Sequence, residues 1–236
     1  DEGSAMAQYA WSKGWRRAGL ATDTVIVYFK NVVQAFEARW KQLGGKIVAN
    51  ETYQSLGGNN VQNAVSRLND AKADVYVTST AGAFGALSSF ITGLRTLGNN
   101  TPVLNSWAGD GTYWLPANPK VTNYWFVTFA SSFGDDPNPA VNRLAKAVKA
   151  ATGGFITGPS AIDGVVTAIK RAHGSTKGSV LATVMQKFKK VPTISGNVSF
   201  SKNLHTVFGR RYRVIRIQNN VPKVVGTIVA KVVPKI

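Results

Sequence analysis

The chain has 236 residues, 44% of them hydrophobic and 10% aromatic, enough apolar surface for one large or two modest folded domains. It contains no cysteine, which excludes disulfides, thiol catalysis and thiolate metal sites. Its formal net charge is +17, and no run of 18 or more apolar residues offers a membrane span.

The charge is uneven. Residues 1–125 carry 11 basic and 8 acidic side chains, whereas residues 126–236 carry 17 and 3, with no acid after Asp163. Two readings stand: a surface that attracts anions such as nucleic acid or lipid headgroups, or a solvated basic face on a protein with another task. The basic residues are scattered rather than clustered as in a recognition helix, which favours the second. The opening Asp1-Glu2-Gly3-Ser4-Ala5-Met6 has none of the basic and apolar regions of a signal peptide, so the sequence as read is either cytoplasmic or preceded by a targeting segment.

In chain order, the first half repeats a short apolar run, a turn and an amphipathic helix. Val33, Phe36, Trp40 and Leu43 lie at helical spacing, and Gly44-Gly45 ends that helix. Lys46-Ile47-Val48-Ala49 reads as a strand. Gly57-Gly58-Asn59-Asn60 reads as a turn with a cap, before a helix marked by Val61, Val65 and Leu68. Asp74 to Thr78 is a strand, Phe84, Leu87, Ile91 and Leu94 a third helical stripe closed by Gly98-Asn99-Asn100, and Pro102-Val103-Leu104 opens a further strand. This alternation predicts parallel βαβ units and a doubly wound α/β sheet.

After Trp125 the rhythm changes. Phe126 to Phe129 reads as a strand and Gly134 to Pro139 as a break. Helices are expected over Ala140–Ala151, Ser160–His173 and Ser179–Lys189, then strands at Val198–Phe200 and Tyr212–Ile217, with Asn219-Asn220 turning the last into Val224–Val229. Three helices without a parallel sheet of their own must either fold back on the first-half sheet or be completed by another segment.

Several segments, in this order, resemble the type I periplasmic solute-binding proteins of the leucine/isoleucine/valine-binding kind. They are Gly3 to Ala10 with Lys13-Gly14-Trp15, Leu43 to Val48, Leu94-Arg95-Thr96-Leu97-Gly98 before Pro102-Val103-Leu104, Asp135 to Val141, and Gly196-Asn197-Val198-Ser199-Phe200. The likeness covers nearly the whole chain. It implies a ligand-binding lobe at 1–125 (the family's second lobe) closed by a hairpin at 213–236, with 133–212 as the helical remainder of an incomplete first lobe. The N-terminal segment of that first lobe would be a further part or partner. The family's tyrosine-aspartate pair stands here as Ile162-Asp163. The β-branched and aromatic run Val25–Phe29 reads as a strand by pattern; the resemblance instead puts the strand at Ala18–Thr22 and Tyr28 in the following loop, and βαβ spacing favours the latter.

In open α/β sheets, ligands bind beyond the carboxyl ends of the strands. That rule selects the loops holding Asp23 and Tyr28, Ser79 to Phe84, and Asn105 to Gly111. Tyr28 is either a phenol on the ligand or a tyrosine packed at a helix start. Ser79, Thr80 and Ala81 either offer N–H groups to an anionic ligand group or form an ordinary cap. Phe84 lies near a family position that stacks on ligand, yet also begins an apolar stripe. Trp107 occupies the position where the family's amino-acid binders carry an acid for the ligand ammonium, and Asp110 follows three residues on. With Asp110 turned into the cleft an amino acid is expected. With Asp110 in solvent, Trp107 suggests an aromatic or neutral-ended ligand. The bland alternative is Trp107 packed on Tyr113 and Trp114 beside a turn aspartate.

His173 and His205 lack metal-ligand neighbours, and no catalytic triad, phosphate loop or dinucleotide fingerprint stands out. Neither a metal nor a cofactor is expected. The resemblance therefore implies a non-catalytic, extracytoplasmic (periplasmic) solute-binding component of an ABC importer. Its expected partners are a small molecule (an amino acid, aromatic acid or amide) and the transporter's membrane subunits, with no specific nucleic acid. The competing function is an anion- or nucleic-acid-binding module built on the basic C-terminal half.

Overall fold

A computed structural model of the chain describes residues 1–56 and 60–235. Its element order is α1 (Glu2–Ser12), β1 (Arg17–Asp23), α2 (Val27–Gln42), β2 (Lys46–Tyr53), α3 (Val61–Asn69), β3 (Val75–Ser79), α4 (Ala86–Thr96), β4 (Val103–Asn105) and β5 (Tyr124–Thr128), followed by α5 (Pro139–Ala147), α6 (Thr157–Arg171), α7 (Gly178–Met185), β6 (Val191–Thr193), β7 (Gly196–Val198), β8 (Arg211–Gln218) and β9 (Val221–Val229). The described helices include none long and apolar enough to cross a membrane.

Seven strands form one sheet in the order β2-β1-β3-β4-β5-β8-β9. β1 to β5 run parallel, and β8 and β9 add antiparallel at one edge. The inner parallel strands β3, β4 and β5 are buried on both faces, as such sheets require, whereas β2 at the edge is buried only at Tyr53. Side-chain alternation along β3 shows the division: Val75 and Val77 pack with Met6, Phe36 and Trp40, whereas Tyr76 packs with Leu68, Leu87 and Phe90 on the opposite face. The strand lies at Arg17–Asp23, and Val27 opens α2. The β-branched run 25–29 is therefore not a strand, because βαβ geometry outweighs local propensity there. Tyr28 lies in the first turn of α2 rather than in a loop.

α1 is buried from Glu2 to Ala10, and its small residues let it lie against α2. A Cβ on Gly3 would fall 2.1 Å from the Val32 carbonyl oxygen. α2 ends where Gly44 takes φ +88°, a conformation that favours glycine. Asn60 does not cap α3; its Oδ1 accepts the Gln54 N–H (3.1 Å) instead. The rest of the expected turn, residues 57–59, lies outside the described residues.

In the second half, the final strands fold back on the first-half sheet. The two-residue turn Asn219-Asn220 has φ of 53° and 64°, and Gln218 pairs with Val221, the geometry of a type I′ hairpin. The helices do not join that sheet. They rest on two small clusters, one around Phe188 and Ala168 and one around Ile156 and Val141. α7 buries no residue, and α6 exposes Ile162 (63%), Val165 (40%) and Val166 (43%). The short strand is Gly196–Val198, paired with β6, and not Val198–Phe200.

A buried ion pair joins the segment after β5 to β8. Arg213 on β8 grips Asp136 with Nε to Oδ2 at 2.8 Å and Nη2 to Oδ1 at 3.0 Å. The same carboxylate accepts the N–H groups of Ser131 and Asn138, both at 2.8 Å. Their side chains are 8% and 0% exposed, so removing one partner strands the other charge. Asp136→Ala is expected to lose about 3–5 kcal/mol in urea unfolding. A loss under about 1 kcal/mol would show that the pair is not a structural joint.

Candidate functional site

Three loops meet beyond the carboxyl ends of β1, β3 and β4, the position expected for a ligand site in such a sheet. They enclose a cavity of about 300 Å³ walled by Tyr28, Phe29, Phe84, Trp107 and Tyr113, with Asp110 among its lining residues. Ala81 lies at its wall, and Thr152 reaches it from the turn before α6. The rings form a connected wall: Tyr28 meets Trp107 edge-on at 6.4 Å, and Phe29 meets Phe84 at 6.2 Å. Phe84 closes a short 3-10 turn, Gly82–Phe84, and so faces the cavity; the apolar stripe of α4 begins after it, at Ala86 and Leu87.

Ser79 and Thr80 are fully buried and spend their polar groups inside the protein. The Ser79 and Ser106 hydroxyls lie 2.7 Å apart. The Thr80 hydroxyl donates to Asp23 Oδ2 (2.7 Å), and its N–H donates to Asn105 Oδ1 (3.2 Å). The loop therefore does not offer the Thr80 N–H to an anion. It is locked to its neighbours, and Asp23 also accepts the N–H groups of Val25 and Ser55.

Asp110 lines the cavity and does not face solvent, but its carboxylate is turned to donors of the protein itself. It is 3% exposed, yet its carboxylate is held in place. Oδ2 accepts from the Thr128 hydroxyl (2.6 Å) and the Gly153 N–H (2.7 Å), and Oδ1 accepts the Gly111 N–H (2.7 Å). The Gly154 N–H also favours its charge. Burial nevertheless dominates these hydrogen bonds and pushes its pKa up to about 6. The loop is tied to β5 and to the segment before α6 by this single side chain.

Trp107 stacks on Phe129 at 5.1 Å rather than on Tyr113 or Trp114. Trp114 instead meets Tyr124 edge-on and donates its indole N–H to the Gly109 carbonyl (3.2 Å). Behind Trp107 lies Glu2, which sequence reasoning did not single out. Its Oε1 accepts the Trp107 N–H (2.6 Å) and its Oε2 accepts the Tyr28 hydroxyl (2.7 Å). Glu2 is 8% exposed, and burial raises its pKa despite those bonds. One signal could have flagged it: an acid in the first turn of a helix otherwise built of small and apolar residues.

Among the described residues, no group of three or more His, Asp or Glu side chains could hold a metal ion. His173 and His205 lie far apart in sequence, on the helical half and its following loop.

A family profile described as periplasmic binding protein matches residues 1–222. The chain belongs to the periplasmic binding protein family. No curated protein matches it by sequence. Among solved structures, the leucine binding protein LivK of Thermotoga maritima superposes with a TM-score of 0.79 at 20% identity, covering 96% of this chain and 65% of that one. LivJ of Streptococcus pneumoniae, a branched-chain amino acid transporter substrate binding protein in complex with isoleucine, gives 0.74 at 20% identity, covering 99% and 65%. A solute binding protein of an ABC transporter from Rhodopseudomonas palustris, in complex with 3,4-dihydroxybenzoic acid, gives 0.71 at 17%, covering 97% and 62%. At these identities the likeness establishes the type I periplasmic binding protein fold. The chain spans about 65% of the length of the first two.

The raised pKa of Asp110 has a measurable consequence. Folded, the group holds its proton up to about pH 6, whereas its ordinary value is 3.8. The favourable contribution of the protonated form is complete below the ordinary value and is lost as pH rises through 6. Between pH 4 and 6, Asp110→Asn should flatten the fall in urea-unfolding stability by up to about 1.4 kcal/mol per pH unit. An unchanged slope would show that Asp110 does not titrate in that window.

Proposed function

We propose that this periplasmic binding protein is the non-catalytic solute-binding component of an ABC importer, which closes two lobes around a small organic molecule outside the cytoplasm. The observation that carries the reading is the aromatic cavity beyond the carboxyl ends of β1, β3 and β4. Tyr28, Ala81, Phe84, Trp107 and Asp110 would line this lobe's side of the cleft, with Ser79 and Thr80 bracing the loop beneath them. Residues 1–125 and 213–236 would make up the ligand-binding lobe, and 133–212 the helical remainder of its sister. The exposed Ile162, Val165 and Val166 on α6 support a further segment of that sister lobe covering them. Amino acids and aromatic acids are the first ligands to try, because structurally similar proteins are described with isoleucine and 3,4-dihydroxybenzoic acid. The importer's membrane subunits would be the protein partner.

A thermal-shift screen of the full-length protein against amino acids, aromatic acids, amides and small amines tests this. A true ligand at about 100 times its Kd is expected to raise Tm by roughly 5–10 °C. No shift with any small molecule would sink the reading.

A further inference from the structure

The cavity has a charge character opposite to that of the chain. Of 28 lysines and arginines, none lines it, and the charged residue that does is Asp110. A second buried carboxylate, Glu2, stands directly behind two of its aromatic walls. Among the described residues neither acid forms a salt bridge. A site walled by tyrosine, tryptophan and phenylalanine rings, whose charged lining residue is an acid, favours a positive ligand group; Glu2 behind it already shares its charge with the N-terminal ammonium and Arg210, so the attraction at the cavity rests on Asp110 and the rings.

Hydrogen-bond capacity narrows the class. A carboxylate offers about four lone-pair sites. Those of Asp110 are engaged by the Thr128 hydroxyl and the N–H groups of Gly153 and Gly111, with the Gly154 N–H turned to it as well. A primary ammonium brings three donors and would find them poorly matched here, at a cost for each one buried unpaired. An alkylated ammonium brings charge without donors. It needs only the negative potential and the ring faces, the arrangement that recognises quaternary ammonium groups in general. The Tyr28 hydroxyl donates to the Glu2 carboxylate, which leaves the ring more electron-rich and its face more attractive to a cation.

We infer that the cleft wall formed by Tyr28, Phe84, Trp107, Tyr113 and Asp110 takes the alkylated-ammonium end of an organic solute. This rests on the solute-binding reading and specifies its ligand class. The rest of the ligand, including any carboxylate, would face the opposing lobe.

Titration calorimetry of the full-length protein with choline, tetramethylammonium, and the neutral isostere 3,3-dimethylbutan-1-ol distinguishes charge from shape. Choline and tetramethylammonium are expected to bind, and choline about tenfold more tightly than the neutral isostere. Tyr113 is 57% exposed at the lip of the cavity, so Tyr113→Leu keeps the fold and the apolar contact while removing the ring. It should weaken choline by several-fold and leave the isostere little changed. Asp110→Asn should weaken choline as well, with circular dichroism confirming the fold. Choline binding no tighter than the isostere overturns the inference. So does binding of leucine or 3,4-dihydroxybenzoic acid without binding of choline, although solute binding then stands. If neither these compounds nor the wider screen produces a binder, the inference and the solute-binding reading fall together.

Discussion

Asp110 is a single carboxylate that three separate stretches of chain use at once. Its own loop after β4, the threonine at the end of β5 and the glycine pair before α6 all donate to it. The donors face a carboxylate because a buried anion without them would be far more costly. In return the carboxylate fixes the distance between the sheet and the segment that leads into the helical half. A Cβ on Gly153 would fall 1.8 Å from the Ala130 carbonyl oxygen, so backbone approaches backbone directly at this junction. Asp110 and Thr152, on either side of this junction, both line the cavity.

The same device recurs at the other crossings. Asp136 and Arg213 tie the exit from β5 to β8, and Glu2 ties α1 to the first turn of α2 and the loop after β4. Each of these carboxylates is almost fully buried, and each accepts from a group on another element: Asp110 from Thr128 and Gly153, Asp136 from Arg213, and Glu2 from Tyr28 and Trp107. In a chain with 11 acids and 28 basic residues, three of the few acids are thus withdrawn from the surface into joints. The basic surplus lies elsewhere than at the cavity beyond β1, β3 and β4, whose charged lining residue is Asp110. Net charge alone therefore does not describe this cavity, since attraction at a site follows the local groups rather than the sum.

The alternation of apolar runs and helical stripes was legible because burial on both faces of a parallel sheet imposes it. β2, β3 and β4 appear near where the periodicity places them, as do α2, α3 and α4. The Asn-Asn hairpin was legible because two successive residues at positive φ are a local demand. The run 25–29 misled because valine, isoleucine and tyrosine there favour a strand, while the chain must return across the sheet as a helix.

For the site, the sequence by itself determined which loops lie beyond the carboxyl ends of the strands of a doubly wound sheet; the family resemblance, against a local pattern that reads 25–29 as a strand, was needed to bring Tyr28 among the candidates with Phe84, Trp107 and Asp110. Only the tertiary structure decided their neighbours. Glu2 lies 105 positions before Trp107, and Gly153 lies 43 after Asp110, separations at which no local pattern reports contact. It also decided that Ser79 and Thr80 turn inward and that Asp110 is buried yet fully engaged. The direction of a carboxylate depends on which donors the fold brings to it, and those donors arrive from elements that sequence periodicity places in different parts of the chain.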